Sequence, residues 1–178
     1  MRAYVDALGE VGLSELTVAE ICRGAGIHRV TFYGHWPDIR SLAVDALGDV
    51  VDRLAGVPDE VVLSASSPRL LTSAYHGALR SQLAELREHR SVYRELLAPD
   101  FAAFRSRIET GLRDRAEDAI AHLATMGVAV GGQDTRYPAI TVAAAVTACF
   151  VDWTFSDDTD VEFASAAIMQ QLPAWWPQ

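Results

Sequence analysis

Between Gly26 and Pro37 the chain crowds His28, Arg29, Thr31, Tyr33 and His35 into a single short stretch. Each of these side chains carries a hydrogen-bonding group at its outer end. At helical spacing most of them fall on one exposed face. An arginine fork matches the O6 and N7 acceptors of guanine, a hydroxyl can reach other base edges, and tyrosine and histidine suit phosphate oxygens. Val30 adds an apolar tip of the kind that meets a thymine methyl. The chemistry on offer is recognition of a duplex groove, not the making or breaking of bonds.

Other chemistry finds little support. His76, His89 and His122 stand at spacings that form no metal-ligand set and no nucleophile–base arrangement. There is no glycine-rich phosphate loop and no His-Glu-x-x-His run. The reading is therefore a non-enzyme with no metal and no cofactor. The two cysteines, Cys22 and Cys149, lie far apart in apolar helical patterns, so both are expected to be small buried hydrophobes rather than a disulfide.

Presenting a recognition face takes two short helices and a tight turn. Thr17 precedes Val18-Ala19-Glu20-Ile21, and Thr followed three residues later by Glu is a capping box. Gly24-Ala25-Gly26 supply the turn, Ile27 plugs the angle, and a second helix runs from His28 to about Trp36 with Phe32 and Trp36 turned inward. Upstream, Tyr4–Val11 reads as an earlier helix. Asp38 can cap a fourth, from Ile39 to about Ala55.

Beyond it, Gly56–Pro68 reads as a linker or loop on its Gly, Pro and Ser content. Arg69–His89 repeats apolar residues near a period of 3.6, and a short helix follows at Val92–Leu97. Pro99-Asp100 opens another, with Phe101, Phe104, Ile108, Leu112, Ala116, Ala119 and Leu123 on one face. Gly127–Tyr137 reads as a flexible loop, Ala139–Phe155 as an almost wholly apolar helix, and Val161–Leu172 as the last. No strand alternation persists, so the fold class is all-α. The expected division is 1–45, a three-helix DNA-binding unit with a short first helix, and 46–178, a helical effector-binding and dimerisation domain.

The run from Leu16 to Pro37 resembles the TetR family of repressors. The specific part is Thr-Val-x-x-Ile from Thr17, Ala-Gly-Ile from Ala25, and Thr-Phe-Tyr-x-His-Trp-Pro from Thr31. The resemblance implies that Thr17 caps a helix whose N-terminus faces a phosphate. It further implies that Arg29, Val30 and Thr31 read bases and that Tyr33 and His35 touch phosphates; His28 joins the DNA-binding candidates from its place on the same exposed face. The family's usual lysine after the proline is Ile39 here; Arg40 is next to it but about 100° further around the helix. The family's first helix normally begins several residues upstream of where this chain starts, often after a basic arm, and the lost contacts imply weakened phosphate affinity.

The same resemblance implies a homodimer through Ala139–Phe155 and Val161–Leu172, whose small apolar residues permit close helix approach. It also implies a small-molecule pocket among the helices near Arg69, Val92 and Pro99. Tyr75, Gln82, Leu86, Tyr93, Phe101, Phe104 and Ile108 are the candidate lining, a mix suited to a mostly apolar effector with one or two hydrogen bonds.

Composition sets a competing pressure. The formal net charge is −9 and every one of the 15 cationic Lys and Arg positions is an arginine. Within residues 1–45, Arg2, Arg23, Arg29 and Arg40 are outnumbered by Asp6, Glu10, Glu15, Glu20, Asp38 and Asp45. DNA contact must then rest on local placement of charge. A dimeric helical small-molecule-binding protein with weak or lost DNA binding is the alternative. No apolar run reaches the roughly 18 residues of a membrane span, and no signal segment stands at the N-terminus. The expected partners are double-stranded DNA, an effector and a second copy, with no membrane, in the cytoplasm.

Overall fold

The structure is a computed structural model that describes residues 17–99, 102–130 and 134–176, with backbone alone at residues 40, 43, 44, 46, 47, 49 and 59. The expected helix Tyr4–Val11 and the candidate Phe101 lie outside the described residues. The helices are α1 Val18–Ala25, α2 Arg29–His35, α3 Ile39–Ala55, α4 Asp59–Ser64, α5 Pro68–Glu88, α6 Arg90–Leu96, α7 Ala102–Thr125, α8 Arg136–Phe155 and α9 Val161–Gln171. No strand occurs among the described residues, and the chain is all-α as expected.

Local chemistry sets the first boundaries. Thr17 and Glu20 form the reciprocal box at the start of α1: the Glu20 N–H donates to Thr17 Oγ1 at 3.3 Å, and the Thr17 N–H donates to Glu20 Oε2 at 2.9 Å. The Thr17 hydroxyl also donates to Glu20 Oε2 at 2.7 Å. These bonds, with Arg23 one turn on, hold the Glu20 carboxyl below its ordinary value. At the other end Gly26 turns into the left-handed region at φ 65°. Its N–H donates to the Arg23 carbonyl, and that of Ile27 to the Cys22 carbonyl. This Schellman pattern is open to glycine because it has no Cβ to clash. Asp38 caps α3 by accepting from the Ser41 N–H at 2.7 Å.

Four expectations need correction. Gly56–Pro68 is not all loop: α4 occupies Asp59–Ser64, where Pro58 presets its own φ to −56° and starts the turn. α8 starts at Arg136, inside the expected loop, because Pro138 sits in the first turn, where a missing N–H costs no helical bond. Cys149 is only half-buried, unlike Cys22; partial burial and neighbouring Asp152 raise its thiol pKa. Finally, α8 is long and apolar enough by length and composition to cross a membrane, although Thr residues and Asp152 break its apolar run. Its Ala139, Val142, Ala143, Val146, Phe150 and Trp153 are instead buried in the helical core.

The core lies where α5, α7 and α8 meet, with Leu83, Leu86, Ile108, Leu123 and Phe150 wholly or almost wholly buried. α3 runs along α7, and α9 packs on α5. Three arginines tie the corner after α8 in place. Arg94 Nε donates to the Thr154 carbonyl at 3.0 Å, Arg90 Nη1 to that of Ser156 at 3.1 Å, and Arg87 Nη1 to that of Thr159 at 3.3 Å. Cations there also complement the negative end of the helix dipole. The expected boundary between residues 45 and 46 falls inside the unbroken α3.

Gly111 of α7 lies close against α3. A Cβ there would lie 2.9 Å from the Ala55 Cβ and 3.4 Å from a Val51 methyl, whereas a Cβ on Gly77 of α5 would meet nothing within 4 Å. Gly111→Ala therefore destabilises by about 1–2 kcal/mol, overpacking outweighing the propensity gain. Gly77→Ala stabilises by about 0.5–1 kcal/mol. Urea unfolding of the two variants checks the contrast in sign.

The capping box yields a pH dependence. Because Glu20 is lowered on folding, its contribution is complete above its ordinary value of 4.5 and is lost as pH falls through the folded value. In a carbon-detected titration of the Glu20 carboxyl, Thr17→Ala returns the pKa towards 4.5; an unmoved titration curve would discard the capping explanation.

Candidate functional site

α2 has seven residues, and one of them anchors it. Phe32 is 0% exposed, with its ring 5.4 Å from Tyr33 and 5.6 Å from Trp36. Ile21 and Cys22 of α1 are buried in the same core, and Val18 and Ile27 pack partly against it. Trp36 is half-buried and donates its Nε1–H to Asp45 Oδ2 at 2.7 Å, joining the end of α2 to the side of α3.

With Phe32 fixed inward, the rest of α2 faces out. Arg29, Thr31 and His35 are exposed, Val30 is 84% exposed and Tyr33 56%. His28 is exposed at the N-cap position with extended backbone and makes no side-chain cap bond. His35 packs against Trp36 at a ring separation of 5.4 Å. Thr17 is exposed at the N-terminus of α1. Arg40 falls in the first turn of α3, and its side chain lies outside the described residues. Ile39 packs partly against the core. The geometry brings His28, Arg29, Val30, Thr31, Tyr33 and His35 together on one short outward helix.

The second feature is a mostly apolar cavity of about 60 Å³ between α5, α7, α8 and α9. Among the residues expected to line a pocket, Tyr75 and Gln82 do so, joined by Leu79, Leu112, Ala116, Val146, Met169 and Trp176. Gln82 is buried and donates Nε2–H to the Gly56 carbonyl at 3.3 Å, at the end of α3. The Tyr75 hydroxyl donates to the Arg115 carbonyl at 3.0 Å. Leu86, Phe104 and Ile108 are core residues away from this wall. Tyr93 is buried and donates to Glu85 Oε1 at 2.9 Å; burial and the Glu85 charge push its pKa up, so it remains a donor. A wider groove of about 1020 Å³ opens to solvent between α4 and α5, lined by residues such as Val61, Leu70, Ser73 and Ser81. Openness to water makes it the poorer small-molecule site.

Two of the three histidines set aside in the sequence take structural bonds. His76 Nε2 lies 3.2 Å from Ser165 Oγ, and His122 Nε2 lies 3.0 Å from the Ala65 carbonyl. Two contributors to these sites were missed. Asp45 could have been found as a carboxylate two helical turns past Trp36. Trp176 follows a proline beyond the last helical pattern, and its only sequence signal is the apolar pair Trp175-Trp176.

Comparison with known proteins finds sequence similarity in the N-terminal part and similarity of fold over nearly the whole chain. Residues 2–46 match the family model of bacterial regulatory proteins, tetR family. An uncharacterized HTH-type transcriptional regulator of Mycobacterium tuberculosis is 39% identical over 59 residues, covering 33% of this chain and 31% of the relative. A similar regulator of Mycobacterium bovis is 35% identical over 71 residues, covering 40% of this chain and 36% of the relative. The alignments thus span about a third of these relatives. The fold is similar over nearly the whole chain to that of the fatty acid degradation regulator FadR from Bacillus halodurans (TM-score 0.74, 16% identity, 96% of this chain and 94% of that one). It is also similar to that of RolR in complex with resorcinol (TM-score 0.66, 20% identity, 96% and 84%). The motif at Thr17–Pro37, the outward α2 and the match over residues 2–46 make this N-terminal part similar to the tetR family of bacterial regulatory proteins.

Proposed function

We propose that the protein is a homodimeric transcriptional repressor that binds operator DNA through α2 and is released by a small, mostly apolar effector. The observation that carries this reading is the outward face of Arg29, Val30, Thr31 and Tyr33 on a helix seated by the buried Phe32. In the major groove Arg29 would pair with guanine, Val30 and Thr31 would touch neighbouring base edges, and Tyr33, His35 and the capped N-terminus of α1 would hold phosphates. His28 and Arg40 are assigned to the same interface. The unit comprises residues 1–45 and the sensing and dimerising part residues 46–178. The protein works without catalysis, in the cytoplasm.

The apolar cavity is assigned to the effector. The similarity of the fold to a resorcinol-bound regulator supports an aromatic ligand. Gln82 links the cavity to α3, since the group that a polar ligand would engage already holds the end of the helix that leads back to α2. A ligand favouring a displaced α3 would lower DNA affinity by its differential affinity for the two states.

Apolar exposure supports the dimer. Tyr137, Ile140 and Phe155 of α8 and Phe163 of α9 remain exposed, Phe163 at 68%. Such a surface is rarely left wet. A two-fold pair would set its α2 helices about 34–36 Å apart, one turn of B-DNA. The alternative, a helical small-molecule-binding protein without operator binding, is favoured by the inward Ile39 and the net charge of −9.

Selection of bound duplexes from a random pool decides between them: enrichment of a palindrome supports the regulator, and an unenriched pool supports the alternative. On the enriched duplex, Arg29→Ala costs about 1–3 kcal/mol and relaxes preference at one base pair of each half-site. Phe163→Glu turns the dimer into a monomer in sedimentation and abolishes tight operator binding while helical content stays unchanged. A dimeric Phe163→Glu would remove α9 from the interface.

A further inference from the structure

Trp176 lines the cavity and is 3% exposed, yet its indole Nε1–H meets no acceptor. A buried indole N–H ordinarily finds one. Of the neighbouring polar groups, Gln82 donates to the Gly56 carbonyl and Tyr75 to the Arg115 carbonyl, and neither accepts from the indole. The Trp176 ring stands edge-on to that of Tyr75, with centroids 5.1 Å apart. Its segment has left the helix: α9 ends at Gln171, and Pro173 has no N–H with which to continue it. Beyond Leu172, the backbone bond that shapes the segment is a single turn, from the Trp176 N–H to the Pro173 carbonyl at 2.8 Å.

With the ring in place the free volume is about 60 Å³. A dry cavity that holds benzene measures roughly 150 Å³. An aromatic guest therefore has no room beside Trp176, but it has room in its place.

We infer that Leu172–Trp176 is a built-in plug and that Trp176 occupies the effector's own position. The ligand class that follows is a flat, apolar ring system no larger than indole, taking over the edge contact with Tyr75. Exchange is helped by the unmet donor, because the displaced indole N–H regains hydrogen bonds to water. The plug also sets sensitivity, since a ligand that binds only the unplugged state sees its affinity reduced by the fraction of molecules in that state. The inference rests on the sensing role proposed above and gives it a ligand class and a gate.

The test uses the full chain and indole itself as probe. In calorimetric titration, Trp176→Ala binds indole at least tenfold more tightly than wild type, and saturating indole restores most of the Tm the substitution removes. Trp175→Ala, which alters a ring outside the cavity wall, keeps the wild-type indole affinity. Equal affinity in wild type and Trp176→Ala overturns the plug, as does an equal gain in Trp175→Ala. Should Trp176→Ala fail to fold, Trp176→Leu is read in the same way, with at least a threefold gain expected. The two readings fail separately. Tight indole uptake by Trp176→Ala with no duplex binding by wild type leaves the plug standing and removes the regulator. Duplex binding with no gain in indole affinity does the reverse.

Discussion

The contact of Gly111 with Val51 and Ala55 leaves α3 and α7 no space between them. Its consequence comes from the length of α3, whose 17 residues span about 25 Å at 1.5 Å per residue. A helix of that length without a break moves as a rod. One end starts just after α2 and is tied to it by the Trp36–Asp45 bond; the other ends at the cavity wall with Ala55. In the proposed release mechanism, a small displacement where α7 presses on α3 would be carried along the rod to α2. Packed interiors deform poorly, so such a shift goes to the far end of the rod instead of dissipating locally.

Two further ties hold the cavity end of α3. One is the bond from Gln82 to the Gly56 carbonyl. The other is a small polar set, in which Arg53 Nε lies 3.4 Å from Glu85 Oε1 and the Tyr93 hydroxyl donates to the same oxygen. The Arg53 side chain is half exposed, so the ion pair alone adds little. Its value is geometric: Glu85 on α5 is fixed by Tyr93 on α6, and Arg53 must meet it where it stands. The arginines of α6 then fix the corner that follows α8. From α2 to α9 the helices are thus joined by polar bonds at their ends and by apolar packing along their sides.

This division also explains what the sequence could reveal. Caps, the glycine turn and the inward Phe32 depend on residues within one helical turn of each other, so Thr17, Gly26, Asp38 and the α2 face were legible from type and spacing. The cavity was only half legible. Tyr75 and Gln82 line it, but Leu86, Phe104 and Ile108 go to the core, because an apolar stripe does not say which of two neighbouring helices it will meet. The six-residue α4 escaped because its Gly, Pro and Ser flanks outweigh one short apolar run. Trp176 escaped for a different reason: beyond Pro173 there is no periodicity to read, and only the tertiary fold carries the ring back to the cavity.

The acidic balance looks like an argument against DNA until the position of each charge is considered. In residues 17–45 the carboxylates are Glu20, Asp38 and Asp45. Glu20 and Asp38 are turned onto backbone N–H groups at the starts of α1 and α3, where the positive end of a helix dipole offsets their charge. Asp45 accepts from the Trp36 indole. Arg29, by contrast, stands exposed on α2 with no acid among the seven residues of its own helix. More distant carboxylates are screened over roughly 8 Å at physiological salt. The net charge lowers sequence-independent attraction to phosphate, while the groups that would touch bases remain free to do so. In the proposed role such a unit would depend less on counterion release and more on groove contacts, weakening non-specific affinity more than discrimination between sequences.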